Sequence, residues 1–103
     1  MPTIIARFKI QAGKEAEAEE AMKAQAAAVE GDEPGALSYI FLRNRKDPLE
    51  ISVFEIYADA EAFETHRTTP HMATFGSKFG SLFDPATVKI ERLERVAGFH
   101  RPA

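Results

Sequence analysis

The segment from Glu50 to His71 constrains the fold more than any other, because it writes a strand, a helix cap and a second helix start in succession. Ile51, Val53 and Tyr57 alternate with Phe54 and Ile56, which is the period of a strand carrying apolar groups on both faces. Asp59 follows, placed to accept from the free amides of a helix running from Ala60 to about Arg67. Thr69-Pro70 then restarts the chain: threonine caps, and the fixed φ of proline suits the first helical position. A short second helical piece carries Met72, Phe75 and Phe79.

The rest of the chain supplies partners for this segment. Thr3 to Ile10 reads as a first strand, with Ile4, Ala6, Phe8 and Ile10 on one face and Thr3, Ile5, Arg7 and Lys9 on the other. After Gly13, Glu15 to Val29 places Ala18, Ala21, Met22, Gln25, Ala28 and Val29 at helical spacing, and the helix closes near Gly31. Pro34 and Gly35 open a second strand that runs to about Arg43, and Lys46-Asp47-Pro48 turns the chain into a third from Glu50 to Ala58. A last strand spans about Thr87 to Val96. The order β-α-β-β-α-β predicts an α+β, ferredoxin-like fold with a four-stranded antiparallel sheet, in one domain over residues 1–103.

Helices cover only one face of such a sheet, yet here both faces carry apolar side chains. In the second strand Leu37, Tyr39 and Phe41 oppose Ile40 and Leu42. Pairing of two chains through the open sheet face, a homodimer, is therefore expected. The net charge of -3 offers no attraction for phosphate backbones, so nucleic acid is not an expected partner. No apolar run reaches the ~20 residues of a membrane span, and the first ten residues lack a signal-peptide pattern, so a cytoplasmic protein without membrane contact is expected. With no cysteine and no glycine-rich phosphate cradle, thiolate, iron–sulfur, flavin and nicotinamide chemistry lack sequence support, and no cofactor is expected.

Two of the three histidines fall in the informative segment. His66 follows Ala62 and Phe63 at helical spacing, which turns its imidazole toward the core. There it is either a structural group bonded to a strand or, with an ordinary pKa of about 6.5, a proton acceptor at a cavity. His71 sits in the first turn after Pro70, where free amides favour an imidazole that accepts a hydrogen bond. Its bland role is packing over the hairpin or binding a backbone carbonyl. His100 lies in the tail after Gly98 and is expected to be exposed.

Glu55 and Tyr57 share one face of the third strand, where a carboxylate beside Val53 and Ile51 needs a partner such as Arg7 or Arg92. An ion pair at the dimer face is the favoured expectation, with Glu55 as a base the alternative and Tyr57 as a donor to a substrate oxygen or a packing group. The pocket-wall candidates are Phe54, Phe63, Met72, Phe75 and Phe79, from a chain with eight phenylalanines and no tryptophan. Gly76 and Gly80 interrupt the last of these stretches, the pattern of a mobile lid rather than a rigid helix. No metal site is expected, because His66 and His71 stand five apart across a proline instead of at i, i+4.

The series Glu55, Tyr57, Asp59, Ala62, Phe63, His66, Thr69 and His71 resembles the segment Glu-x-aromatic-x-Asp-x-x-Ala-Phe-x-x-His-x-x-Ser/Thr-x-His of antibiotic-biosynthesis-monooxygenase domains. The resemblance covers nearly the whole chain in element order and implies a dimeric α+β barrel. Family members include cofactor-independent monooxygenases of quinols and aromatic polyketides, so it implies O2 and a small quinol-like or polyphenolic aromatic as substrates. A haem-degrading branch relies on an Asn, a Trp and a haem-ligating His at positions that hold Ala6, His66 and Gly76 in this chain, which argues against haem. The anthrone-oxidising branch is recognised partly by a Trp that this chain lacks. The alternative is a non-catalytic small-ligand-binding or stress-associated dimer, and a proton-transfer isomerase or decarboxylase is a third reading.

Overall fold

The computed structural model describes residues 1–102. Four strands and three helices alternate as β1 (Thr3–Ile10), α1 (Glu15–Asp32), β2 (Ala36–Arg43), β3 (Glu50–Tyr57), α2 (Ala60–Arg67), α3 (Pro70–Leu82) and β4 (Phe83–Leu93). The strands form one antiparallel sheet in the order β2-β3-β1-β4, the ferredoxin-like arrangement. Register pairs Ile4 with Glu55 and Arg92, Ala6 with Val53 and Ile90, and Phe41 with Val53. Paired residues share a face, so these side chains all look toward the helices.

Small residues let α1 approach the sheet: Ala18 is fully buried, and Met22, Gln25 and Val29 continue its inward stripe. α3 packs beside it and contributes Phe75 and Leu82 to a core with Phe8, Ile10, Ile51, Val53 and Phe83. Phe8, Phe79 and Phe83 meet ring against ring at 4.9–5.1 Å between centroids. Such pairs are worth about 0.5–1.5 kcal/mol each beyond the area they bury.

Three boundaries differ from the sequence reading. α1 runs through Gly31 to Asp32, because Pro34 rather than the glycine ends it: a residue before proline is pushed out of the α region, and Glu33 has φ −124° and ψ 81°. α3 is a continuous helix of 13 residues that passes through Gly76 and Gly80, with Thr69 capping the amide of Met72 and packed aromatic rings offsetting the glycines. β4 starts at Phe83, earlier than Thr87, and its pairing with β1 shifts between Arg7 and Lys9. Thr87 repairs that irregularity by accepting from the amide of Lys9 at 2.8 Å.

Among the described residues no helix covers the opposite face of the sheet. Ile5, Ile40 and Phe54 lie side by side across three strands there, and Ile40, Leu42 and Leu93 are 47%, 50% and 42% exposed. Arg7 pairs with Glu91 on this face.

Candidate active site

Local rules bring three distant residues together. Asp59 accepts from the amide of Ala62 at 2.8 Å and starts α2, which sets His66 in the last turn. The turn before β2 holds α2 close: a Cβ on Gly35 would stand 2.6 Å from the Cβ of Ala62. Glu33 leaves α1 just ahead of that turn, and His71 opens α3 immediately after Pro70.

The carboxylate of Glu33 lies between the two histidines. His66 Nδ1 is 3.0 Å from both of its oxygens, and His71 Nε2 is 2.5 Å from Oε2. Glu33 and His66 are buried, and the His71 side chain is 13% exposed. An ionised carboxylate only accepts, so His66 Nδ1 and His71 Nε2 are the donors. His66 therefore keeps its second nitrogen, Nε2, for the other side of the ring.

That other side faces Glu55, whose Oε1 is 3.9 Å from His66 Nε2. Tyr57 donates its hydroxyl to the same oxygen at 2.5 Å. Burial pushes the Glu55 carboxyl above its ordinary range, while the Tyr57 hydrogen bond and His66 pull it back. Burial, and then the bond to Glu55, hold the Tyr57 phenol far above its usual value. The rings of Tyr39 and Tyr57 flank the His66 imidazole at 5.3 and 5.4 Å between centroids. Burial also raises the Tyr39 phenol, whose oxygen stands 3.5 Å from Gln25 Nε2.

His66 and Glu55 are polar groups in the wall of a cavity of about 520 Å³ between the sheet and the two short helices. Ala6, Phe41, Val53 and Ile90 form its sheet side, and Phe63, Met72, Phe75, Gly76 and Phe79 its helix side. Arg67 and Arg92 complete the lining, with the Arg92 guanidinium 5.0 Å from the centre of the Phe63 ring. An apolar chamber with few convergent polar groups suits a flat, mostly apolar ligand.

Of the residues expected from sequence, Glu55, His66, Phe63, Met72, Phe75 and Phe79 meet at this cavity. Four expectations are corrected. Glu55 turns toward the helices instead of pairing at the open face, since its register partners Ile4 and Tyr39 look the same way and Arg7 is taken by Glu91. Phe54, one residue earlier, points to the open face and lies outside the cavity lining. Tyr57 is wholly buried against Glu55 and Phe63 and does not reach the cavity. His71 donates to a carboxylate rather than accepting, and lines a separate recess of about 140 Å³ with Gln25 and Phe75.

The spacing argument for His66 and His71 considers a single helical face. His66 and His71 belong to two helices, and the break at Thr69-Pro70 turns both toward Glu33; a test restricted to one helical face misses this. Glu33 itself went unread in the sequence. Its signal is an acid at the C-terminal end of a helix, where the dipole opposes it and the last turn holds no basic residue, so its burial requires partners from elsewhere.

The model of the family described as antibiotic biosynthesis monooxygenase matches residues 1–78, which contain the whole Glu33, Glu55, His66 and His71 constellation. The chain belongs to this family. Among solved structures, a candidate antibiotic biosynthesis monooxygenase from Caulobacter crescentus CB15 is similar at 30% identity, with a TM-score of 0.86 over 93% of this chain and 90% of that one. The protein PA3566 of Pseudomonas aeruginosa is similar at 29% identity, with a TM-score of 0.83 over 93% and 94% of the two chains. A structure from Bacteroides thetaiotaomicron at 19% identity has a TM-score of 0.88 over 99% and 95% and shares the fold. No curated protein matches the sequence. Within this antibiotic-biosynthesis-monooxygenase chain, Ala6, His66 and Gly76, the positions compared with the haem-degrading branch, all line the cavity. Among the described residues no helix is long and apolar enough to cross a membrane.

Proposed function

We propose that the chain is a cofactor-independent monooxygenase of quinol-like or polyphenolic aromatic substrates, working as a cytoplasmic homodimer paired through the open sheet face. The observation that carries this reading is the position of His66: Nδ1 is held by a buried carboxylate, and the opposite edge of the ring lies at an apolar cavity. Family membership supports the monooxygenase class, and the substrate class is our own inference.

In this reading a substrate hydroxyl gives its proton to His66 Nε2, and Glu33 stabilises the imidazolium that forms. Glu33 thus plays the positioning role that a carboxylate plays behind a catalytic histidine. The resulting anion is electron-rich enough to reduce O2. A quinol plus O2 then gives a hydroxyquinone plus water, one oxygen atom entering the ring and the other leaving with two protons. Phe75 and Phe79 flank the ring, and the apolar wall keeps bulk water from the anion. Tyr57 acts through Glu55, holding that carboxyl toward His66, rather than touching substrate.

The test is oxygen uptake with a small panel of quinols, run with and without O2. Consumption of O2 together with a hydroxylated product supports the reading. Ligand binding without turnover, or turnover that proceeds equally without O2, would replace it with a binding module or an isomerase.

A further inference from the structure

We propose that Glu33, His66 and His71 form a binding site for one divalent transition-metal ion of the zinc type. Their donor atoms, one carboxylate oxygen and two imidazole nitrogens, all lie within 4.8 Å of one another. Two imidazoles and one carboxylate are a donor set suited to zinc, with a fourth position left open. Ligands of one tetrahedral zinc stand roughly 3.3 Å apart, given metal–ligand bonds of about 2.0–2.1 Å. To reach that spacing the 2.5 Å contact of His71 to Glu33 opens by about 0.8 Å and the 3.0 Å contact of His66 by about 0.3 Å, while the two imidazole nitrogens stay within 4.8 Å of each other; the metal then takes the place of the two bridging protons.

A second observation points the same way. Metal-bound histidines characteristically direct their other ring nitrogen at a carboxylate. Each histidine has a carboxylate near that other nitrogen, just beyond hydrogen-bond distance: Glu55 Oε1 is 3.9 Å from His66 Nε2, and Asp32 Oδ2 is 4.0 Å from His71 Nδ1. The buried Glu33 carboxylate has only these imidazoles as ion-pair partners among the described residues. His71 and Asp32, the more exposed members, mark the side from which an ion enters.

Binding has a consequence for the reaction proposed above, and this consequence alone rests on that reading. A metal on Nδ1 confines the remaining ring proton of His66 to Nε2, so the nitrogen at the cavity becomes a donor and ceases to accept. Metal binding itself is independent of any turnover.

The test uses the full chain stripped with EDTA and titrated with Zn2+ by calorimetry and with Co2+ by visible absorption. The expected result is saturable one-to-one binding and a Co2+ spectrum of nitrogen and oxygen ligands. Affinity should fall about 100-fold in both Glu33→Gln and His71→Ala and stay unchanged in His100→Ala, since each metal ligand carries a large share of the affinity. The Co2+ spectrum of the unaltered chain serves whether or not the variants fold. Absence of saturable binding up to millimolar Zn2+, or Glu33→Gln and His71→Ala binding as tightly as the parent chain, overturns the proposal.

Discussion

His66 Nδ1 stands 3.0 Å from both carboxylate oxygens of Glu33, a residue 33 positions earlier in the chain. The contact is buried on both sides, so it joins the end of α1 to the end of α2 without competition from water. It also selects which nitrogen of His66 is free to accept a proton. The functional reading hangs on this pair.

Glu33→Gln keeps the size of the side chain but removes the charge that holds the imidazole. Turnover with a quinol should fall at least about 10- to 100-fold, part of the roughly 10²–10⁴-fold that a positioned base contributes, while KM changes little because Glu33 lies outside the cavity lining. Steady-state kinetics on the metal-free protein give the split. A raised KM at unchanged kcat would mean that Glu33 shapes the pocket instead.

Gly35→Ala tests the close approach of α2. The added methyl meets Ala62 at 2.6 Å, so α2 must shift and carry His66 with it. Overpacking of this kind costs about 1–3 kcal/mol, and the double change with Ala62→Gly should recover most of it. Urea unfolding of the two single variants and the double variant measures the coupling; strictly additive effects would place the strain elsewhere.

Burial raises the Glu55 carboxyl in the folded chain, so the folded state holds that proton to higher pH than the unfolded chain does. Its contribution to stability is therefore fully present below the ordinary carboxylate range and is lost as pH rises through the raised folded value. Glu55→Gln, which keeps an acceptor for Tyr57, should remove this loss. Melting of metal-free protein between about pH 4 and pH 8 should show the variant gaining on the parent as pH rises through that window. A constant difference across the range would contradict a raised carboxyl.

The open sheet face offers a separate test. Ile40→Asp or Leu42→Asp places a charge where roughly half of each apolar side chain is exposed, and should dissociate the proposed dimer while leaving the monomer fold intact. Sedimentation against concentration reports the state. A parent chain that is already monomeric at high concentration would refute pairing through this face.

Much of the fold could be read from local chemistry. Asp59, Thr69 and Pro70 act within a few residues of themselves, and the structure uses each as its type predicts. The alternation in β1 and β3 likewise fixed which side chains share a face. What stayed hidden depends on contacts across sequence. Phe54 and Glu55 are neighbours on opposite faces, and the pattern alone did not say which face the helices cover. Glu33 stands beyond Gly31, where the sequence closes the helix, and only the return of α2 and α3 gives it a role. The α3 glycines gave a misleading signal because neighbouring aromatic packing, absent from any local window, decides the helix.

Whether His66 accepts the substrate proton is read from oxygen uptake by EDTA-treated protein with a menadiol-type quinol. Uptake well above the buffer rate is expected in the parent chain, with a loss of about 100-fold or more in His66→Ala, in keeping with the usual contribution of a positioned base. Uptake in His66→Ala equal to the parent rate would contradict proton acceptance by His66.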